Sequence, residues 1–478
     1  MTSAIREEQR RRVEADIRQE PFTNARDTPP VTIAEALARH RVPGCAVANI
    51  ADGELAWTAS YGVVGAGAAE PVAEDTIFQA CSISKPVAAL MALKLVQEGR
   101  LDLDEDVNAY LRAWRVPSNG DWQPRITLRQ LLSHTAGLTY TWYPGYPRGA
   151  PLPTLLQTLR GESPANTPPV FATRLPGVAF RYSGSHYSVV QQLLVDVTGQ
   201  PFASLARDLI FAPLGMAHSG YETDFPARHS GATAIGHDPG GLRIAGDWRV
   251  LPESAGAGLW TTPADLARLA VAAIKAWAGQ SSALLDQSTA REMLTPQIGG
   301  RGLGWQITPL GPSFRFAHGG SNIGYKCILL AWPEYGLGAA VMTNGDEGGA
   351  LFPEIVGAIA REYDWPGRWS GVRPGDAASA PAGPASTYAG TYGDAAQLSV
   401  VVAADGERLL LTAPGQPPLP LLLTGTHRFR AGALDAEIAF EIGTTIKDRS
   451  GDVVALLLRQ GDDEVRLPRV VWVVERGT

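Results

Sequence analysis

The sequence predicts a layered α/β domain, an antiparallel sheet flanked by helices with a long helical insertion, and a small all-β domain behind it. Three observations predict it. Strand signals flank residues 29–366 at both ends, while the stretch between them is mostly helices and long loops. Residues 371–386 are small, Pro-rich and nearly uncharged, which is the composition of a linker. Beyond them, short apolar runs alternate with turn residues, as in a small antiparallel barrel or sandwich.

The elements follow in order. Residues 1–28 form a charged, helix-forming arm that ends in the Pro-bearing connection Asp27-Thr28-Pro29-Pro30. A helix over 33–40 precedes strands 44–50 and 55–61, joined at Asp52-Gly53, which is a hairpin signal. The next helix is apolar on most sides from Val87 to Gln97, so it is expected to be buried, with Gly99 as its C-terminal glycine. Further on, Thr261-Thr262-Pro263-Ala264-Asp265 reads as a helix start, with Pro near the first position and Asp in the first turn. A helix is also expected over 189–197. Strand signals return at 314–318, 324–332 and 337–343, followed by a helix over 352–361. Past the linker, strands are expected at 398–402, 408–412, 419–423, 436–442 and 453–459. The domains are therefore placed at 29–370 and 387–478, after the arm 1–28 and around the linker 371–386.

Length and charge narrow the function classes. A chain of 478 residues exceeds what one core usually supports, so two domains are the default. A net charge of -7 without a long basic run argues against nucleic acid as a partner. Three cysteines, Cys45, Cys81 and Cys327, are widely spaced, odd in number and without metal-ligand spacing. They read as reduced, buried thiols of a cytoplasmic protein, and no metal or cofactor is called for. No segment reads as a signal peptide or a membrane span, so no membrane partner is expected. Oligomeric state is not legible.

The chemistry concentrates in Ser82-Ile83-Ser84-Lys85. Serine and lysine three residues apart at a helix start share one face. A lysine tucked against an apolar helix is pushed toward its neutral form and can then take a proton. The serine hydroxyl beside it needs such a base to become a nucleophile. The chain holds only five lysines among its 41 basic residues, so a lysine in this buried turn points to lysine chemistry. Cys81 adjoins Ser82 and is a weaker candidate nucleophile.

Two further clusters supply the remaining parts. Tyr182, in Phe180-Arg181-Tyr182-Ser183-Gly184, precedes a small flexible step and a helix, where its hydroxyl can enter a cleft and act as a general base near a cation. His318, Gly319 and Gly320 stand at the end of a strand, where glycines let a substrate lie along the backbone and the N–H of Ser321 can donate.

In that order, Ser82–Lys85, Tyr182-Ser183-Gly184 and His318-Gly319-Gly320 resemble the three landmarks of the serine β-lactamase and penicillin-binding-protein superfamily, most closely its class C-like branch of esterases, D-aminopeptidases and penicillin-binding-protein-type thioesterases. Stretches 126–138 and 256–260 also look familial, and the resemblance spans about residues 29–366. It implies Ser82 as the acylated nucleophile and Lys85 and Tyr182 sharing proton transfer. It further implies His318 in the place of a third-motif lysine, and an oxyanion hole from the N–H groups of Ser82 and Ser321. Relatives often carry a lipocalin-like barrel at the C-terminus, which is expected here.

Two departures shape the substrate. A largely neutral His318 attracts a carboxylate less well than lysine. Gly184 replaces an asparagine that orients an amide. Both favour esters, thioesters or amides without an adjacent carboxylate over β-lactams. Tyr140, Trp142 and Trp260 are candidate walls of the acyl pocket. The leading reading is a serine hydrolase acting on a small-molecule or peptide acyl substrate. Alternatives are an acyltransferase passing the acyl group to an amine, a D-aminopeptidase, and, less favoured, a β-lactamase or a non-catalytic ligand-binding protein.

Overall fold

The computed structural model describes residues 3–19, 29–177, 179–280, 283–308, 314–366, 384–394, 398–412, 418–431, 437–443, 452–460 and 463–470. It divides into two compact units, one reaching to residue 367 and one made mainly of the residues after it. Residues 371–383 of the expected linker lie outside the described residues.

The first unit is organised by a six-stranded antiparallel sheet. Its strands are β1 (Gly44–Ala51), β2 (Glu54–Gly62), β3 (Gln306–Thr308), β4 (Arg315–Asn322), β5 (Tyr325–Trp332) and β6 (Leu337–Thr343), in the order β2-β1-β6-β5-β4-β3. N-terminal and C-terminal parts of the unit meet where β1 pairs β6, with Val47 opposite Val341. Every residue of β1 is buried, which requires cover on both faces of the sheet. Helices Pro263–Trp277 and Gly348–Glu362 pack on it.

Local chemistry sets the helix ends. Thr32 and Glu35 form a reciprocal capping box ahead of helix Ile33–His40, which ends on Arg41 in the left-handed region. Thr262 accepts the Asp265 N–H at the start of Pro263–Trp277. Helix Ser84–Gln97 is buried along nearly its whole length, among Leu193, Leu266 and Met293, as its unbroken apolar run requires. Truncating one of its leucines to alanine would cost about 2–5 kcal/mol.

The strand at His318 departs from expectation. It does not end there but runs on through Gly319 and Gly320 to Asn322, paired with β5 throughout. The partner strand holds the glycines in extended form, and packing demands one of them. A Cβ on Gly320 would lie 2.3 Å from Cys327 Sγ and 2.6 Å from the Ala80 carbonyl oxygen. That close approach is how β4 seats against the turn that carries Ser82.

The second unit is a meander of eight antiparallel strands between Gly390 and Pro468. Its ends meet, since the Val470 N–H donates to the Thr391 carbonyl and Tyr392 pairs with Arg469. The result is a nearly closed barrel, as the lipocalin-like expectation has it. Tyr388, Tyr392, Phe429 and Phe440 fill its core. Strands Gly390–Asp394, Arg428–Ala431 and Asp463–Pro468 were not among those expected from the apolar runs.

Candidate active site

Ser82 sits in the single tight turn Cys81–Ile83, between the short strand Phe78–Gln79 and helix Ser84–Gln97. The turn is drawn tight by Cys81 at φ +52° and by Ser84, whose Oγ donates to the Cys81 carbonyl and accepts the Leu259 N–H. One helical turn on, Lys85 is 2% exposed. Its Nζ donates to Ser82 Oγ at 3.0 Å and to the Gly256 carbonyl at 2.7 Å. A buried amine needs such acceptors, and here one of them is the serine itself. An amine and a hydroxyl at this distance can exchange a proton.

Tyr182 closes the other side. Lys85 Nζ stands 5.0 Å from the centroid of its ring and 5.8 Å from that of Tyr187. Tyr182 lies just before helix Gly184–Thr198, and its ring packs on His134 at 4.4 Å between centroids. His134 belongs to the 126–138 stretch, but its part in this site was not read from the sequence. Its Nδ1 accepts the Ser183 N–H at 3.3 Å and lies 3.1 Å from His186 Nδ1. Because a backbone N–H can only donate, His134 Nδ1 is the acceptor and His186 Nδ1 carries the hydrogen. Burial and mutual repulsion hold His134 well below the ordinary histidine value, and burial pushes His186 down to about 3. The pair therefore fixes Tyr182 without adding charge.

His318 faces the same cleft, 6.3 Å from the Tyr182 ring. Its Nδ1 donates to the Gly319 carbonyl at 2.7 Å, which leaves Nε2 without a hydrogen. Burial, then the nearby charge of Lys85, pushes its pKa down to about 3, so the ring is neutral at physiological pH. Ser321 follows on the exposed side of β4. Asn322 next to it donates to Gln79 Oε1 at 2.7 Å and ties that strand to the segment leading into Ser82.

The remaining expected residues divide. Gly184 opens the helix that follows Tyr182, with the ring of Tyr143 pressed against it. Tyr140 and Trp142 are 52% and 55% exposed, and Tyr140 lies under the Arg181 guanidinium at 5.3 Å. Trp260 is buried against Trp248 and Tyr325 and lines a small recess with Gln79, Tyr221 and Gly258. It is not one of the groups gathered around Lys85.

Sequence reading also missed a cation. Arg301 packs its guanidinium 4.7 Å from the Phe180 ring, and among the described residues its Nε has no partner. Burial lowers its pKa, and Tyr182 and Tyr187 are near enough to oppose that shift. Among the described residues no carboxylate pairs with it, nor with Arg181, whose neighbour is Arg174. The signal was present in Gly299-Gly300-Arg301-Gly302, an arginine set in a glycine turn without an acid beside it. No three metal-ligating side chains converge among the described residues.

Ser82 and Lys85 on one turn are thus faced by Tyr182 and by His318 on β4. The β-lactamase family model matches residues 31–364, and the chain belongs to that family as a serine hydrolase. Penicillin-binding protein 4 of Amycolatopsis lactamdurans is 27% identical over 374 residues, covering 74% of this chain and 93% of that protein. Esterase EstB of Burkholderia gladioli is 31% identical over 239 residues, covering 48% and 60%. Among solved structures, the octameric penicillin-binding protein homologue from Pyrococcus abyssi superposes with a TM-score of 0.62 at 22% identity, covering 91% of this chain and 98% of that one. Among the described residues no helix is long and apolar enough to cross a membrane.

Proposed function

We propose that the protein cleaves a carboxylic ester, or a related thioester or amide, through an acyl-enzyme on Ser82. The 3.0 Å contact between Lys85 Nζ and Ser82 Oγ, under the ring of Tyr182, carries this reading. Lys85 in its neutral form takes the hydroxyl proton as Oγ attacks the acyl carbon. The backbone N–H groups of Ser82 and Ser321 receive the oxyanion, and Tyr182 passes a proton to the leaving group. Water then attacks the acyl-enzyme, and the same groups work in reverse. His318, neutral and hydrogen-free at Nε2, accepts a hydrogen bond from Tyr182 or from the substrate.

The substrate's charge is the second part of the reading. The family's third-motif lysine is absent, yet a positive group is not: Arg301, unpaired by any carboxylate among the described residues, stands beside Tyr182. Together with Arg181 and the exposed Tyr140 it favours an acyl substrate with an apolar body and an anionic group. The expectation from His318 concerns the third motif alone; Arg301 adds a positive group from a separate loop.

Fluorophosphonate labelling and chromogenic ester turnover, with Ser82→Ala alongside, test the nucleophile. The wild type labels and turns over; the alanine variant does neither. Labelling that persists in Ser82→Ala sinks the assignment, and rapid turnover of a cephalosporin in preference to esters sinks the substrate class.

A further inference from the structure

Two glycines in this site are not explained by their backbones. Gly184 opens helix Gly184–Thr198 and Gly256 lies in helix Ser254–Ala257. Neither has a positive φ. Alanine is better than glycine inside a helix by about 1 kcal/mol, so something else must require the missing Cβ. Both are crowded by one ring. A Cβ on Gly184 would lie 2.4 Å from Tyr143 Cε2 and 2.5 Å from its Cζ, and one on Gly256 would lie 2.5 Å from the same Cε2.

Tyr143 is held firmly in that place. The loop that carries it turns alternate residues out and in, with Tyr140 and Trp142 exposed and Thr141 and Tyr143 buried. The Gly184 N–H donates to the Thr141 carbonyl at 2.8 Å, and the Thr141 N–H donates to Ser183 Oγ at 2.9 Å. The Tyr143 hydroxyl meets Ser188 Oγ at 2.6 Å, one turn beyond Gly184. The ring is thereby wedged between the segment that follows Tyr182 and the segment whose Gly256 carbonyl holds Lys85.

We infer that Tyr143 is a positioning and specificity-determining residue of this site. Resting on the Ser82 reading above, the inference has two consequences. The ring occupies the volume in which a side chain at 184 would reach the substrate, so no side-chain amide is offered there and esters are favoured over amides. The ring also props Gly256 so that its carbonyl stays on Lys85 Nζ.

A double-mutant cycle tests this in the full-length protein, reading Tm, fluorophosphonate labelling, and kcat and KM on matched aryl ester and anilide substrates. Gly184→Asn alone lowers Tm and slows labelling. Tyr143→Ala alone lowers kcat by about 10-fold while KM moves little, the signature of misplaced chemistry. Tyr143→Phe keeps the ring but loses the hydroxyl's contact with Ser188, so its kcat falls less than that of Tyr143→Ala. In Tyr143→Ala/Gly184→Asn the penalty of the asparagine is relieved, and the ester-to-anilide ratio of kcat/KM falls by about 10-fold or more. Should Tyr143→Ala not fold, Tyr143→Leu carries the same cycle. An asparagine equally costly with and without the ring, or an unchanged ester-to-anilide ratio in the double variant, overturns the inference. Failure of the nucleophile assignment would show separately, as turnover that survives Ser82→Ala.

Discussion

Lys85 and Glu253 both engage one short helix, Ser254–Ala257, and meet opposite fates. Both are charged residue types and both are almost wholly buried, at 2% and 1% exposure. Lys85 has two acceptors for its ammonium, one of them the carbonyl of Gly256. Glu253 uses its backbone carbonyl to start that helix, accepting from Gly256 and Ala257, but among the described residues neither of its carboxyl oxygens has a partner. Burial pushes its pKa up to about 7. Burial with hydrogen-bond partners lets the amine sit beside Ser82, whereas burial without them makes the Glu253 charge a liability that depends on pH.

The largest expected effect breaks the satisfied member of the pair. Lys85→Ala removes the proton acceptor next to Ser82 and should lower ester kcat/KM by about 10²–10⁴-fold with the fold intact by circular dichroism. A loss below tenfold would reduce Lys85 to a structural cation.

The next prediction concerns stability. The unfolded carboxyl of Glu253 ionises near its ordinary value of 4.5 while the folded one stays protonated up to about 7. Stability therefore falls as pH rises between those values and stays lost above them. Glu253→Gln should abolish that fall and add about 3 kcal/mol at pH 8 relative to pH 4. Urea unfolding at the two pH values decides it, and parallel wild-type and variant profiles would mean that the carboxyl finds a partner.

Arg301 extends the comparison to a cation that, among the described residues, no carboxylate pairs with. Arg301→Ala should raise KM for an anionic ester by about 10-fold or more and leave a neutral ester of the same shape nearly unchanged. Equal effects on both would make it a packing residue for Phe180. Smallest is the effect of charge at His318. Since its ring is neutral above pH 5, His318→Gln should lower activity without moving the midpoint of the pH–rate profile between pH 5 and 8. A displaced midpoint would show that the histidine titrates there.

The parts of the site legible in the sequence are those whose chemistry is local. Ser82 and Lys85 share a turn because three residues separate them, and the burial of their helix follows from its apolar run. The parts that were not legible are held by contacts far apart in the chain. His134 meets His186 across 52 positions and the Gly256 carbonyl meets Lys85 across 171. Gly184 could be read as a lost asparagine, but not as a glycine demanded by Tyr143. The extent of β4 escapes the sequence for a related reason: glycines look like a strand end until the partner strand that pairs them is known.

By itself, the sequence determined the layered domain, the β domain behind it, and the order of serine, lysine, tyrosine and histidine, because turn chemistry, apolar periodicity and residue spacing act over a few positions. Only the tertiary structure decided which carbonyl holds the lysine, which buried arginine has no carboxylate partner among the described residues and which ring presses against Gly184. Those outcomes depend on what long-range packing brings within a few ångströms, and on whether a buried group finds its partner there.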